Sequence, residues 1–259
     1  MTPDELSSVG LQYDVDGPVA TVTITRPSAR NAQTPQMWST LARIGDEIPA
    51  AVRVVVVSGE GSSFSAGLDR AVLDPTNPDG VGGLLAAGDD EASAQIGEWQ
   101  RAFTWLRNPQ FISIAKVRGY AIGAGFQLAL SCDLRITSAD AKYAMKESAL
   151  GLVPDLTGTK PLVEAGGDAR ALETCATARF VEADEALAIG LSQGVHPDAE
   201  LDAAVARLAA QLVGTMEGVL PETKRLLQGA ADRDLDQQRR YEREAQIRRF
   251  RAVAAAFGS

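Results

Sequence analysis

The 259-residue chain is 45% hydrophobic and 23% charged, enough apolar matter for one large core plus a smaller appendage. Its formal net charge of −9 argues against nucleic-acid binding, and no apolar run reaches the roughly 18 residues of a membrane span. The opening MTPDELSSVG has neither a basic region nor an apolar core, so no secretory leader is expected and cytoplasmic residence is the default.

VATVTIT (19–25) alternates like a half-buried strand, and RPSARNAQT (26–34) reads as a turn. Thr34-Pro35 is a helix start, followed by apolar side chains at helical spacing over 36–48. VRVVVVSG (52–59) has the continuous apolar run of a strand covered on both faces. A Gly/Ser loop, GEGSSFSAGLD, enters a short helix. Residues 74–98 are rich in Pro, Gly and Asp and predict a mobile loop. A helix then runs to about Leu106, and Asn108-Pro109 ends it. FISIAKV (111–117) predicts a strand, RGYAIGAG a loop, FQLALSC a helix and DLRIT a strand. From 158 onward the pattern is helical, broken near Gly166-Gly167, Gly194 and Gly218. Strand–helix alternation followed by helices predicts an α/β core with a helical C-terminal region, divided at about 1–196 and 197–259.

Cys132 and Cys175 sit in apolar surroundings without metal-type spacing, so reduced cysteines and no metal are expected. His196, the sole histidine, lies beside Pro197 in a polar stretch, a poor setting for a Ser-His or Cys-His nucleophile. Two strand–loop–helix junctions share a bare, small-residue character: SAGLD (65–69) and GAGF (123–126). Helix starts carry free N–H groups and a positive dipole end. One N–H from each junction could meet at a single oxygen, forming an oxyanion hole worth about 2.7–4 kcal/mol per donor. The plainer alternative is that these glycines serve only turns and close packing.

RPSARNA (26–32), FSAGLD (64–69), RGYAIGAGFQLALSCDLRI (118–136), ESALGLVPDLTGT (147–159) and ATARFVEADEALAIGLSQGV (176–195) stand in the order and spacing of one family. Over about residues 10–215 the chain resembles the enoyl-CoA hydratase/isomerase, or crotonase, family. The resemblance implies a spiral of ββα units, trimers or dimers of trimers, and an acyl thioester of coenzyme A as substrate, with no separate cofactor. It places the oxyanion donors at the N–H groups of Leu68 and Ala124, where the family usually has glycine at the second position. It also puts Arg30, Ala66 and Asp69 near the coenzyme A end, with Asp69 shaping its loop.

Hydratases of the family use two glutamates twenty positions apart, and here these positions hold Gln127 and Glu147. An amide accepts no proton near neutral pH, so it could orient a water or simply bond a neighbour. Glu147, beside apolar SALGLV, is expected to have a raised pKa suited to a base, or else to pair with Lys146 or Lys160. Asp155 replaces a glycine common in the family. The resemblance links a carboxylate there to dienoyl isomerases and to a dehalogenase branch that also needs a histidine near the first donor. His196 lies far along the chain from that donor. Asp155 alternatively caps the next helix. Isomerase-type proton transfer is the favoured expectation; a hydratase or lyase using Glu147 and a bound water, and a non-catalytic acyl-CoA binder, are the alternatives. The C-terminal arginines Arg239, Arg240, Arg243, Arg248, Arg249 and Arg251 are either phosphate contacts or a solvated helix face.

Overall fold

The computed structural model describes residues 1–257. Among the described residues, nine strands form two sheets. The larger contains β1 (Leu11–Asp16), β2 (Val19–Ile24), β3 (Val54–Gly59), β4 (Ile112–Val117), β6 (Leu134–Ser138) and β9 (Gly194–His196), in the order β1-β2-β3-β4-β6-β9. Only its β1–β2 hairpin is antiparallel; every later pair is parallel. The smaller sheet contains β5 (Tyr120–Ile122), β7 (Lys142–Ala144) and β8 (Val181–Glu182), in the order β5-β7-β8. The chain therefore alternates: β4 in the large sheet, β5 in the small one, then the helix Ala124–Ser131; then β6, β7 and the next helices. This is the expected ββα spiral.

The run of valines in β3 shows why the large sheet is covered twice. Val55 and Val57 join the main core with Ile24, Leu41 and Phe103, while Val54 and Val56 pack with Ile114, Leu201 and Val205 on the other face. Leu201 and Val205 belong to the helix Asp198–Val213, so the first helix beyond β9 is part of the sheet's second layer. Strand β2 alternates as expected, with Ala20, Val22 and Ile24 fully buried.

The sequence pattern misjudged four places. Residues 74–98 contain the helix Val81–Ala86 and most of Asp89–Thr104, rather than forming the expected mobile loop. RGYAIGAG contains strand β5. His196 lies in β9, where its carbonyl receives the Ala139 N–H at 2.8 Å, rather than in a turn. The mainly helical region after 158 also contributes the short strands β8 and β9. Both short strands draw their stability from neighbouring strands, which local hydrophobic period does not report.

Two buried cations fasten the helices. Lys224 donates to Asp133 at 2.6 Å and to the carbonyls of Leu106, Asn108 and Phe111, tying the helix Val219–Gln228 to the approach to β4. Arg135 of β6 donates to the carbonyls of Leu191, Cys132 and Ala129, the last two at the end of the helix Ala124–Ser131. The final helix, Leu235–Phe257, lies against Val219–Gln228 and is mostly exposed.

Candidate active site

Residues 64–68 run alongside β5, with Ser65 N–H on the Tyr120 carbonyl at 2.9 Å and Ile122 N–H on the Ser65 carbonyl at 3.0 Å. On the other side, Gln33 N–H reaches the Gly67 carbonyl at 2.7 Å, and Asp69 N–H reaches the Gln33 carbonyl at 2.8 Å. The Ser65 hydroxyl donates to Asn31 O and receives Gly67 N–H. Side chains complete the lattice: Gln33 accepts from Trp38 Nε1 at 2.8 Å, and buried Asn31 donates to the carbonyls of Glu60 and Ser63. The two junctions abut. Gly67 has φ +93°, and a Cβ there would stand 2.5 Å from the Ile122 carbonyl oxygen and 3.5 Å from the Ala124 nitrogen. Gly125 is equally constrained, because its Cβ would lie 2.4 Å from the Ser65 carbonyl oxygen.

Within this bonded hub, the N–H groups of Leu68 and Ala124 have no acceptor among the described residues. Both residues line one cavity of about 1160 Å³, and Ala124 is the first residue of its helix. Backbone donors in protein interiors are almost always paired, so two open ones on one cavity wall suit a ligand oxygen. The methyl of Ala124 leaves its donor intact.

Glu147 lines the same cavity at the start of the one-turn 3₁₀ helix Glu147–Leu150. Its carboxylate lies over the turn into the Ala124 helix: a Cβ on Gly123 would be 3.4 Å from Oε1. Oε1 accepts from Gln127 Nε2 at 2.7 Å, whereas Oε2 is buried without a hydrogen-bond partner. Burial raises the Glu147 pKa above the ordinary carboxylate value; the Gln127 bond opposes that rise and the nearby Asp155 charge adds to it. No cation pairs with it among the described residues. Lys146 turns to the Ala178 carbonyl and the face of Phe180, and Lys160 reaches Glu164 and Asp232.

Asp155 lines the cavity too, and burial raises its pKa, although the residue keeps enough contact with water to limit the effect. It does not cap a helix. The helix Thr159–Gly166 begins after Gly158 with no side-chain cap, and the Asp155 carbonyl instead receives Gln100 Nε2 at 2.7 Å. Gln127 is 1% exposed and holds no free oxygen: its Oε1 accepts from Leu156 N–H at 2.9 Å and Gly158 N–H at 3.2 Å.

Arg30, Ala66 and Asp69 gather along the same cavity. Arg30 is exposed with φ +51°, and its carbonyl takes the Ala66 N–H at 2.8 Å. Asp69 is held by Arg26 at 2.8 Å and receives Ala71 N–H, starting the short helix Arg70–Leu73. The Arg26 contact holds the Asp69 carboxyl below the ordinary carboxylate value. His196 and the C-terminal arginines are absent from this cavity lining, and Arg239, Arg240 and Arg248 pair with Asp236, Glu244 and Glu222.

The cavity's apolar wall draws on the segment 74–98, as expected, but the sequence did not single out its individual residues. Trp38 and Trp99 stand 5.5 Å apart between ring centres, joined by Ile96 and Leu84. The signal was present: Asp89, Asp90 and Glu91 suit a helix's first turn, and Ile96, Trp99 and Phe103 follow at helical spacing.

A model of the enoyl-CoA hydratase/isomerase family matches residues 14–254. The chain belongs to the enoyl-CoA hydratase/isomerase family. Among its relatives, a short-chain-enoyl-CoA hydratase of Clostridium acetobutylicum is 31% identical over 93% of this chain and 88% of its own. The human mitochondrial delta(3,5)-delta(2,4)-dienoyl-CoA isomerase is 34% identical over 78% of this chain and 63% of its own. A crystal structure from Thermobifida fusca YX, described as a candidate enoyl-CoA hydratase in complex with acetoacetyl-CoA, is 50% identical. It superposes with a TM-score of 0.93 and covers 97% of this chain and 98% of its own. The crotonase-type architecture expected from the motifs is therefore the fold, and this enoyl-CoA hydratase/isomerase family member is an enzyme of acyl-CoA chemistry.

Proposed function

We propose that this chain moves a carbon–carbon double bond along an enoyl-CoA thioester by proton transfer. The thioester oxygen accepts from the Leu68 and Ala124 N–H groups. Glu147 takes a proton from the α carbon of a 3-enoyl thioester, and the electron pair spreads over carbon and oxygen as a dienolate. The Glu147 carboxyl, whose proton exchanges with water, delivers one proton to the γ carbon, so one proton leaves, one is added and the double bond shifts. Asp155 provides a second proton group for a longer, dienoyl shift. Arg30 and the Ala66 backbone are assigned to the coenzyme A end, with Asp69 shaping the loop. No separate cofactor takes part.

The observation that carries this reading is Glu147, whose carboxylate pairs with no cation among the described residues and whose Oε2 is buried without a partner, on the lining of the cavity that Leu68 and Ala124 also line. General acid–base catalysis by a positioned group is worth about 10²–10⁴-fold. The test is deuterium incorporation from solvent at the α and γ carbons of a 3-enoyl-CoA. Expected is rapid incorporation that falls by about that factor in Glu147→Gln. No incorporation by the wild type, or equal incorporation by the variant, overturns the reading.

Hydration is the second reading, favoured by the activity in the name of the Clostridium relative. With the Gln127 oxygen already engaged by two N–H groups, a water would answer to Glu147 alone. Addition of water to a 2-enoyl-CoA, lost in Glu147→Gln, would select it. We further propose residence in the cytoplasm and assembly as a trimer or dimer of trimers. Exposed Leu235, Ile247 and Phe250 on the final helix support such assembly.

A further inference from the structure

We infer that Gln127 is a positioning residue, a neutral clamp that holds the Glu147 carboxylate by one oxygen and so fixes its orientation and its proton affinity for the proton transfer. This rests on the reading of Glu147 as the base.

The geometry allows the amide one orientation. Its NH₂ faces the Glu147 carboxylate at 2.7 Å, and its oxygen faces the N–H groups of Leu156 and Gly158. Turning it over would set oxygen against carboxylate and NH₂ against two N–H donors, so both contacts would repel. The side chain is also walled in: a Cβ on Gly158 would lie 2.6 Å from Gln127 Cγ. The clamp therefore leaves Glu147 one committed oxygen, Oε1, and one buried free oxygen, Oε2.

The clamp also fixes the second carboxyl-bearing segment. Leu156, whose N–H it holds, directly follows Asp155. One amide thus joins the turn carrying Glu147 to the loop carrying Asp155, and sets their spacing.

Its neutrality matters as much as its reach. A carboxylate at position 127 would stand within hydrogen-bond distance of Glu147, and two such groups do not both ionise near neutral pH. The amide supplies the same reach without competing for the proton. The other titratable or charged groups around Glu147 are Asp155, Cys175 on the helix Asp168–Thr177, and Lys146, which the Ala178 carbonyl holds.

The experiment titrates Glu147 directly, by NMR of protein labelled with ¹³C at glutamate carboxyls, its resonance assigned from Glu147→Gln. Wild type, Gln127→Leu and Gln127→Glu are compared, with thermal melting as the check on folding. In Gln127→Leu the midpoint moves upward, because the bond favouring the charged form is gone. The exchange kcat also falls by about tenfold or more while KM changes little. Gln127→Glu keeps an acceptor for Leu156 and Gly158, so it serves if the leucine variant fails to fold. There Glu147 and the new carboxyl titrate as a coupled pair with one step raised. An unmoved midpoint with unchanged kcat in the folded variants overturns the clamp. A shifted midpoint in a protein that exchanges no enoyl-CoA proton overturns the proton-transfer reading and leaves the clamp standing.

Discussion

Gly67→Ala tests the meeting of the two open amides with a single methyl group. The new Cβ would sit 2.5 Å from the Ile122 carbonyl oxygen, while a comfortable carbon–oxygen contact is about 3.3–3.6 Å. The junctions must therefore part by about 1 Å. Alanine must also adopt φ +93°, a strain on the order of 1–3 kcal/mol. Leu68, next in the chain, moves with it, so its N–H shifts against that of Ala124 and the two cannot share the thioester oxygen that the proposed reaction assigns to them. A displacement of about 1 Å costs roughly 10²-fold in rate, the same order as losing one oxyanion donor. The assay measures kcat and KM for solvent-deuterium exchange into a 3-enoyl-CoA, alongside thermal melting. The expected result is a fall of about 10²-fold concentrated in kcat, with a lowered melting temperature. A folded variant with kcat within about threefold of wild type would show that catalysis does not need these amides to converge.

The Asp155 charge raises the Glu147 pKa, so Asp155→Asn should shift the acid limb of kcat/KM to lower pH. The wild-type limb should itself lie above the ordinary glutamate range, because burial disfavours the carboxylate, and activity should rise with pH through it. A limb that stays put or moves upward in the variant would contradict this. Lys224→Met strips the cation from Asp133 and from three carbonyls, and should cost about 3–5 kcal/mol in a denaturant titration, with no cost expected if the pair is dispensable. Trp99→Ala removes a buried ring from the cavity wall and should destabilise by about 3–5 kcal/mol. A series of acyl chain lengths should show kcat/KM shifting toward bulkier chains; an unchanged order of preference would remove Trp99 from that wall.

How much could be read from the sequence depended on the range over which each signal acts. Strands β2, β3 and β4 were legible because alternation, or a continuous valine run, belongs to each segment itself. Strands β5, β7, β8 and β9 were not read as strands. Each is only two or three residues long, below the roughly four over which alternation shows, and pairing partners far along the chain make them. The helix Asp89–Thr104 was obscured by the Pro/Gly-rich stretch before it. At the site, motif spacing brought Leu68, Ala124, Gln127, Glu147 and Asp155 to one cavity. The spacing could not reveal that the Gln127 oxygen is occupied by the backbone after Asp155, nor that Asp69 leans on Arg26. Those contacts connect segments 29 or more residues apart, and no local pattern encodes them.

Arg135 gives the helix Ala124–Ser131 a polarity of its own. The helix has 8 residues, so its two ends lie about 12 Å apart. A buried guanidinium grips the carbonyls at the tail, which is the negative pole of the peptide dipoles, and the open amide of Ala124 stands at the head. Negative charge arriving at the head thus meets a rod whose opposite pole is already neutralised. Under the proposed reaction, the field that would favour an enolate is built in during folding, by a residue outside the cavity lining.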